Sequence, residues 1–211
     1  MSTGSSKREV AFLVRYAIQS LGIVILLAIA LRSLIISSYV MSGTSMLPNI
    51  WPGDFLIGQR WHSSDLARND VVIVRCPNSK DRVCMKRVVA VEGDRVEFKQ
   101  GQLQINGFSV LESPAGGEFM SETIMGRSRN VWPNVSKNNE SMKPVIVPPQ
   151  HVYLLNDKRS DGEDSRAWGP VPLAQIEARA GLIWLSLDWT DGERIRSWPS
   201  VRWDRFFRTV N

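Results

Sequence analysis

From Tyr16 to Leu31 the chain reads YAIQSLGIVILLAIAL, an uncharged and mostly apolar run closed by Arg15 on one side and Arg32 on the other. Being apolar on nearly every face, it does not read as an amphipathic surface helix. It falls a little short of the roughly 20 residues that cross the core of a bilayer. Long Arg side chains at both ends reach outward and lengthen the usable span, and apolar residues resume in SLIISSYV. A cleaved secretory signal has the same outline. Lys7 and Arg8 would be its basic start, and Ala28-Ile29-Ala30 resembles a cleavage site. The apolar character that continues beyond Arg32, with no polar cleavage region, favours an uncleaved single anchor. Basic residues ahead of the run then put the N-terminus in the cytoplasm and everything after it outside.

After about residue 40 the texture changes. Short β-prone runs follow one another: DFLIGQ, DVVIVRC, VCMKRVVAV, DRVEFK, QLQING, PVIVP, HVYLLN and GLIWLSLDW. Pro77–Asp81 reads as a hairpin loop and Glu92-Gly93-Asp94 as a turn. Many short strands without helical periodicity between them predict an all-β domain. The expected organisation is a cytoplasmic stub and transmembrane anchor over 1–40, then an extracytoplasmic all-β domain of antiparallel sheets over 41–211. Residues 112–143, rich in Gly, Ser, Asn and Pro, are expected to leave it as a loop or small subdomain. Asn134-Val135-Ser136 and Asn139-Glu140-Ser141 match glycosylation acceptors, a pattern common by chance.

The formal net charge is +5, with basic residues scattered among acids and no nucleic-acid motif. Such an excess suits a protein lying against anionic lipid better than a nucleic-acid binder. The chain has two cysteines and two histidines, Cys76, Cys84, His62 and His151, none at metal-ligand spacing. No metal site is expected. Cys76 and Cys84 bracket the short hairpin loop. They either join as a disulfide, which export permits, or stay reduced as ordinary core residues.

Three segments carry candidate chemistry. In Ser42-Gly43-Thr44-Ser45-Met46-Leu47-Pro48, small residues let a substrate backbone approach the Ser45 hydroxyl, and a turn can aim backbone N–H groups at an oxyanion. In Met85-Lys86-Arg87-Val88-Val89, Lys86 interrupts an apolar strand; alternation puts Cys84, Lys86 and Val88 on one face and Met85, Arg87 and Val89 on the other. A lysine there is either an edge charge facing water or a desolvated amine able to act as a base. Asn156 to Gly169, NDKRSDGEDSRAWG, is either a solvated turn or a network bracing a site, to which bidentate Arg–carboxylate pairs are suited.

Taken in order behind the anchor, these segments resemble the bacterial type I signal peptidases. S-G-x-S-M-x-P looks like that family's nucleophile box, D-V-V-I-V and M-K-R-V-V-A-V-E-G-D like the next two, and N-D-K-R-x-D-G-x-D-S-R-x-W-G like the last. Ile183 to Asp188 and Trp198-Pro199 look familiar from the same enzymes. The resemblance implies a membrane-bound serine endopeptidase, with an all-β catalytic domain on the periplasmic face of the inner (plasma) membrane. It would cut signal peptides from exported preproteins after small residues. Ser45 would be the nucleophile and Lys86 the general base. Specialised conjugation, pilus or organelle inner-membrane maturation peptidases share this logic. A non-catalytic membrane-anchored binding module of the same fold is the reading outside the enzymes. The implied partners are preprotein signal peptides and the lipid bilayer, with no nucleic acid, metal or cofactor.

The nucleophile loop is Ser42, Gly43 and Thr44. Gly43 stands where some relatives have a serine that donates to the oxyanion, and Ser42 or Thr44 can substitute. Met46, Ile50 and Met85 are candidates for the substrate pocket. Arg87, Asp157, Asp164, Ser165 and Arg166 are expected as a supporting network. Gly162 aligns with a serine that bonds the catalytic lysine in some relatives, leaving Ser160 or Ser165 to orient Lys86, and Asn156 replaces a usual glycine.

Overall fold

The computed structural model describes residues 12–27, 36–60, 66–78, 82–99, 101–133, 142–161, 163–191 and 194–210. Lys7, Arg8, Ala28 to Arg32, His62, the end of the 77–81 loop, the two glycosylation motifs and Gly162 lie outside them. The chain divides into two compact units, Met1–Ser37 and Ser38–Asn211. In the first, residues 12–27 form a helix, α1. Among the described residues no helix is long and apolar enough to cross a membrane; the predicted anchor runs past the described part of α1.

The rest is almost entirely antiparallel β-structure. The strands are β1 (Ile36–Val40), β2 (Asp54–Gln59), β3 (Val71–Arg75), β4 (Val83–Val91), β5 (Arg95–Lys99), β6 (Gln102–Ile105), β7 (Phe108–Ser109), β8 (Leu111–Gly116), β9 (Phe119–Ile124), β10 (Arg127–Val131), β11 (Met142–Ile146) and β12 (His151–Leu155). After a single-turn helix α2 (Ser165–Trp168) come β13 (Val171–Pro172), β14 (Ile176–Asp191), β15 (Arg194–Val201) and β16 (Arg208–Thr209). The main sheet runs β1-β2-β14-β3-β4-β12-β13, with β15 and β16 also paired to β14. A second sheet runs β11-β5-β6-β7 and a third β10-β9-β8.

Strand periodicity explains the cores. In β3, Val71 and Ile73 turn into one core with Met46, Ile50, Met85 and Ile183. Val72 and Val74 turn into another with Cys84, Val88 and Leu154. The strand is buried on both faces, so it reads as a continuous apolar run. The predicted bounds of DFLIGQ and VCMKRVVAV coincide with β2 and β4. GLIWLSLDW is only part of β14, which spans 16 residues and changes register four times against its partners. Over 112–143 the described residues form β8, β9 and β10 and the start of β11, not irregular loop. Their polar sequences carry no apolar alternation to betray them.

Buried ion pairs hold the loop between β1 and β2. Arg87 on β4 is 1% exposed and forks onto Asp157, which is 0% exposed, with N–O distances of 2.8 and 2.7 Å. The same guanidinium donates to the carbonyls of Asn69 and Val210. Asp157 Oδ2 also accepts from Asn49 Nδ2 at 2.8 Å. Arg205, near the C-terminus, forks onto buried Asp54 and donates to the Asn49 carbonyl. Gly53 takes φ +88°, and a Cβ there would sit 2.0 Å from the Leu187 carbonyl oxygen, so only glycine lets this loop lie against β14. The third sheet is tied into the same region. Glu122 on β9 accepts from Arg129 and Arg159, and Trp132 N–H donates to the Asp157 carbonyl.

Cys76 and Cys84 are joined as a disulfide across the β3–β4 hairpin, with Cα atoms 5.5 Å apart. Neither thiol should therefore alkylate in denatured, unreduced protein. Reduction should cost roughly 2–3 kcal/mol for so short a loop, read as a lower melting temperature; equal melting with and without reductant would contradict this.

Asp157→Ala should strand Arg87 as an uncompensated buried cation, at a cost of about 3–5 kcal/mol. Denaturant melts of this variant and of Arg87→Ala test it. A loss below 1 kcal/mol in both would show that the pair is not structural.

Candidate active site

The chain turns sharply just after Ser45. The amides of Asn49 and Ile50 both donate to the Met46 carbonyl, and the Leu47 amide donates to Thr44. The Ser45 carbonyl accepts from the Lys158 N–H at 2.9 Å, so the loop is moored to the segment that carries Asp157. Ser42, Gly43, Thr44 and Ser45 all line one open groove of about 830 Å³. That volume falls within the range of ligand-binding clefts.

Lys86 lies on β4, which runs between β3 and β12 in the interior of the main sheet rather than at its edge. Its side chain lines the same groove yet is 3% exposed. Its neighbours Cys84 and Val88 on that face belong to an apolar core, and its Nζ sits 5.4 Å from the centre of the Trp168 ring. Among the described residues no carboxylate lies within ion-pair distance of it. Burial drives its pKa down from 10.5 to about 8. The more distant carboxylates of Asp164, Glu163 and Asp161 oppose that shift, and Arg82 adds slightly to it. The sheet thus holds an amine in a place that disfavours its charge, on the groove that the Ser45 loop also lines.

Asp164 is 0% exposed and caps α2 by accepting from the Arg166 amide. It also accepts from the Asn156 amide and takes a fork from Arg166 at 2.8 and 2.7 Å. Arg166 reaches on to the carbonyls of Arg159 and Asp161. Ser165 is buried, and its hydroxyl accepts from the Leu154 amide; it does not line the groove, whereas Ser160 does. Within this region the ion pairs are Arg87–Asp157 and Arg166–Asp164.

Among the pocket candidates only Met85 lines the groove. Met46 and Ile50 are 0% exposed and belong to the core beneath it, because the turn after Ser45 points them inward. Tyr39, Met41 and Ile73 supply the apolar wall instead. Nothing about them stands out in the sequence, since each looks like an ordinary strand residue. Glu122, Arg129, Arg159, Asp54 and Arg205 were equally illegible as site supports. They are isolated charges; Arg129 lies seven residues from Glu122 on the neighbouring strand, and the Arg159–Glu122 and Arg205–Asp54 pairs join residues 37 and 151 apart. His151 is engaged with the Pro149 carbonyl and does not line the groove. Among the described residues no cluster of His, Cys, Asp or Glu is arranged to hold a metal ion.

The profile of the signal peptidase family, peptidase S26, matches residues 14–185, which include Ser45, Lys86 and the Asp157–Arg166 segment. Signal peptidase I of Bacillus caldolyticus is 29% identical over 69% of this chain and 78% of its own length. Signal peptidase I of Pseudomonas aeruginosa is 27% identical over 80% of this chain and 70% of its own. The chloroplastic thylakoidal processing peptidase 1 of Arabidopsis thaliana is 28% identical over 72% of this chain and 43% of its own. A match of that extent means that the chain belongs to the signal peptidase family of peptidases, peptidase S26.

Proposed function

We propose that this chain is a membrane-bound serine endopeptidase that removes N-terminal signal peptides from exported preproteins after small residues. Ser45 is the nucleophile and Lys86 the general base. The observation that carries this reading is a buried lysine with no ion-pair partner among the described residues, lining the same groove as Ser45. A lysine held that way is costly, and a hydrolase has a use for it.

The steps follow from the charges. With a pKa of about 8, about one Lys86 in ten is neutral at pH 7. The neutral amine takes the Ser45 proton as Oγ attacks the scissile carbonyl, forming an acyl-enzyme. The Lys86 ammonium then protonates the departing amine, and water releases the acyl group. The Ser45 backbone N–H, with Ser42 or Thr44, stabilises the oxyanion. An extended substrate lies along the groove as an added strand, its small side chains meeting Tyr39, Met41, Ile73 and Met85. The apolar run at Tyr16–Leu31 anchors the chain, with the N-terminus cytoplasmic and residues 41–211 outside. Trp198, Trp203 and Phe207 are exposed, as is Arg208 beside them, a mixture suited to the lipid interface.

Ser45→Ala and Lys86→Met should each abolish nearly all cleavage of a peptide with alanine at the cleavage position and two residues before it. The double variant should be little worse than either. Lys86→Arg should fail too, since guanidinium stays protonated. Substantial turnover by Lys86→Met would overturn the dyad.

The rate should rise with pH through an apparent pKa near 8 and then level off. Stability should move the same way. The folded pKa lies below the unfolded one, so the unfolded chain binds the extra proton between pH 8 and 10.5 and wild type gains stability across that window. Lys86→Met should be more stable than wild type at neutral pH, by an amount on the order of 3 kcal/mol, and should lose that advantage above pH 10. Melting curves of both proteins across that range check the sign.

A further inference from the structure

Asn156 lines the groove and leaves a buried acceptor unmet. Its side chain is 0% exposed. Its Nδ2 donates to the Asp161 carbonyl at 3.1 Å, which fixes the amide's orientation, because a carbonyl can only accept. Its backbone is held on both sides, the amide by Asp164 and the carbonyl by Arg159 Nε at 2.7 Å. Its Oδ1 has no hydrogen-bond partner among the described residues. Of the buried polar side-chain atoms in that condition, only Asn156 Oδ1 belongs to a residue lining the groove of Ser45 and Lys86. A buried acceptor left unpaired is expensive, and a rigidly held one at a reaction centre has something to bind.

We propose that Asn156 positions the hydrolytic water: Oδ1 accepts one of its hydrogens while the other points to the Lys86 amine. The water oxygen is then free to face the acyl carbon on Ser45. This rests on the Ser45–Lys86 reading. Lys86 is neutral once it has protonated the leaving amine. The water oxygen bonds to the acyl carbon as Lys86 takes one water proton. The carbon–Oγ bond then breaks, the Lys86 ammonium returns that proton to Ser45 Oγ, and the product leaves as the acid. Asn156 gains and loses no proton. A neutral amide suits the task, because a carboxylate in its place would favour the ammonium form of Lys86 and remove the base.

The test separates acylation from deacylation. A peptide with alanine at the cleavage position is mixed with enzyme, quenched at intervals, and the acyl-enzyme followed by intact mass. Asn156→Leu should leave acylation near the wild-type rate and slow deacylation by about tenfold, the effect of one lost hydrogen bond, so that acyl-enzyme accumulates. Asn156→Asp restores an acceptor; its deacylation should recover at alkaline pH, with the pH–rate profile displaced upward. Equal slowing of both steps in Asn156→Leu, or of neither, would overturn the proposal and leave Asn156 as a brace for the Asp161 turn. If the leucine variant does not fold, Asn156→Asp decides alone, and an unshifted profile overturns the idea. Cleavage that survives in Ser45→Ala would instead refute the Ser45 reading itself.

Discussion

The forked ion pair between Arg87 and Asp157 braces the junction of β4, the segment after β12 and the loop that carries Ser45. Both side chains are removed from water, and the guanidinium also ties down the backbone of Asn69 and Val210. Asp157 passes the constraint to Asn49, beyond the Ser45 turn, while the next residue, Lys158, holds the Ser45 carbonyl. Arg87 follows Lys86 on β4, so the pair fixes the strand of the lysine relative to the loop of the serine. Burial lifts the Asp157 carboxyl, but Arg87 with Arg129 and Asn49 holds it below the usual carboxylate range. It therefore stays ionised, and the pair stays intact, throughout the range in which Lys86 titrates.

Adjacent positions on one strand thus bury charge in opposite ways. Alternation sends Arg87 to a face where a carboxylate awaits it and Lys86 to a face of valine, cysteine and tryptophan. The first cation is stabilised and inert. The second is destabilised in its charged form and able to give up its proton near neutrality. The nearby acids, Asp161, Glu163 and Asp164, moderate the shift without pairing to the amine. Arg166 occupies Asp164 with a fork of its own and so keeps that carboxylate engaged.

Much of this was readable before any coordinates. The runs DFLIGQ and VCMKRVVAV have a strand's composition and punctuation, and they became β2 and β4. Ser45, Lys86, Arg87, Asp157 and Asp164 were picked out by box-like context. The pocket was not so accessible. Met46 and Ile50 looked like lining because they follow Ser45, but a turn of four residues reverses side-chain direction, and both ended in the core. The strands of the third sheet were not distinguished within the expected loop or small subdomain, because segments such as SPAG and RSRN carry no alternating apolar pattern.

The sequence by itself determined the all-β character of residues beyond about 40 and the family. These depend on local propensity, on period and on motif spacing, all of which survive in one dimension. Tertiary structure alone decided that Lys86 is interior rather than on an edge, that Cys76 and Cys84 are bonded, and that Glu122 supports Arg159. It also decided that Asn156 lines the groove while its Oδ1 finds no partner among the described residues. Each of those depends on which strand lies beside which, and strand order is set by long-range pairing that no local window of residues encodes.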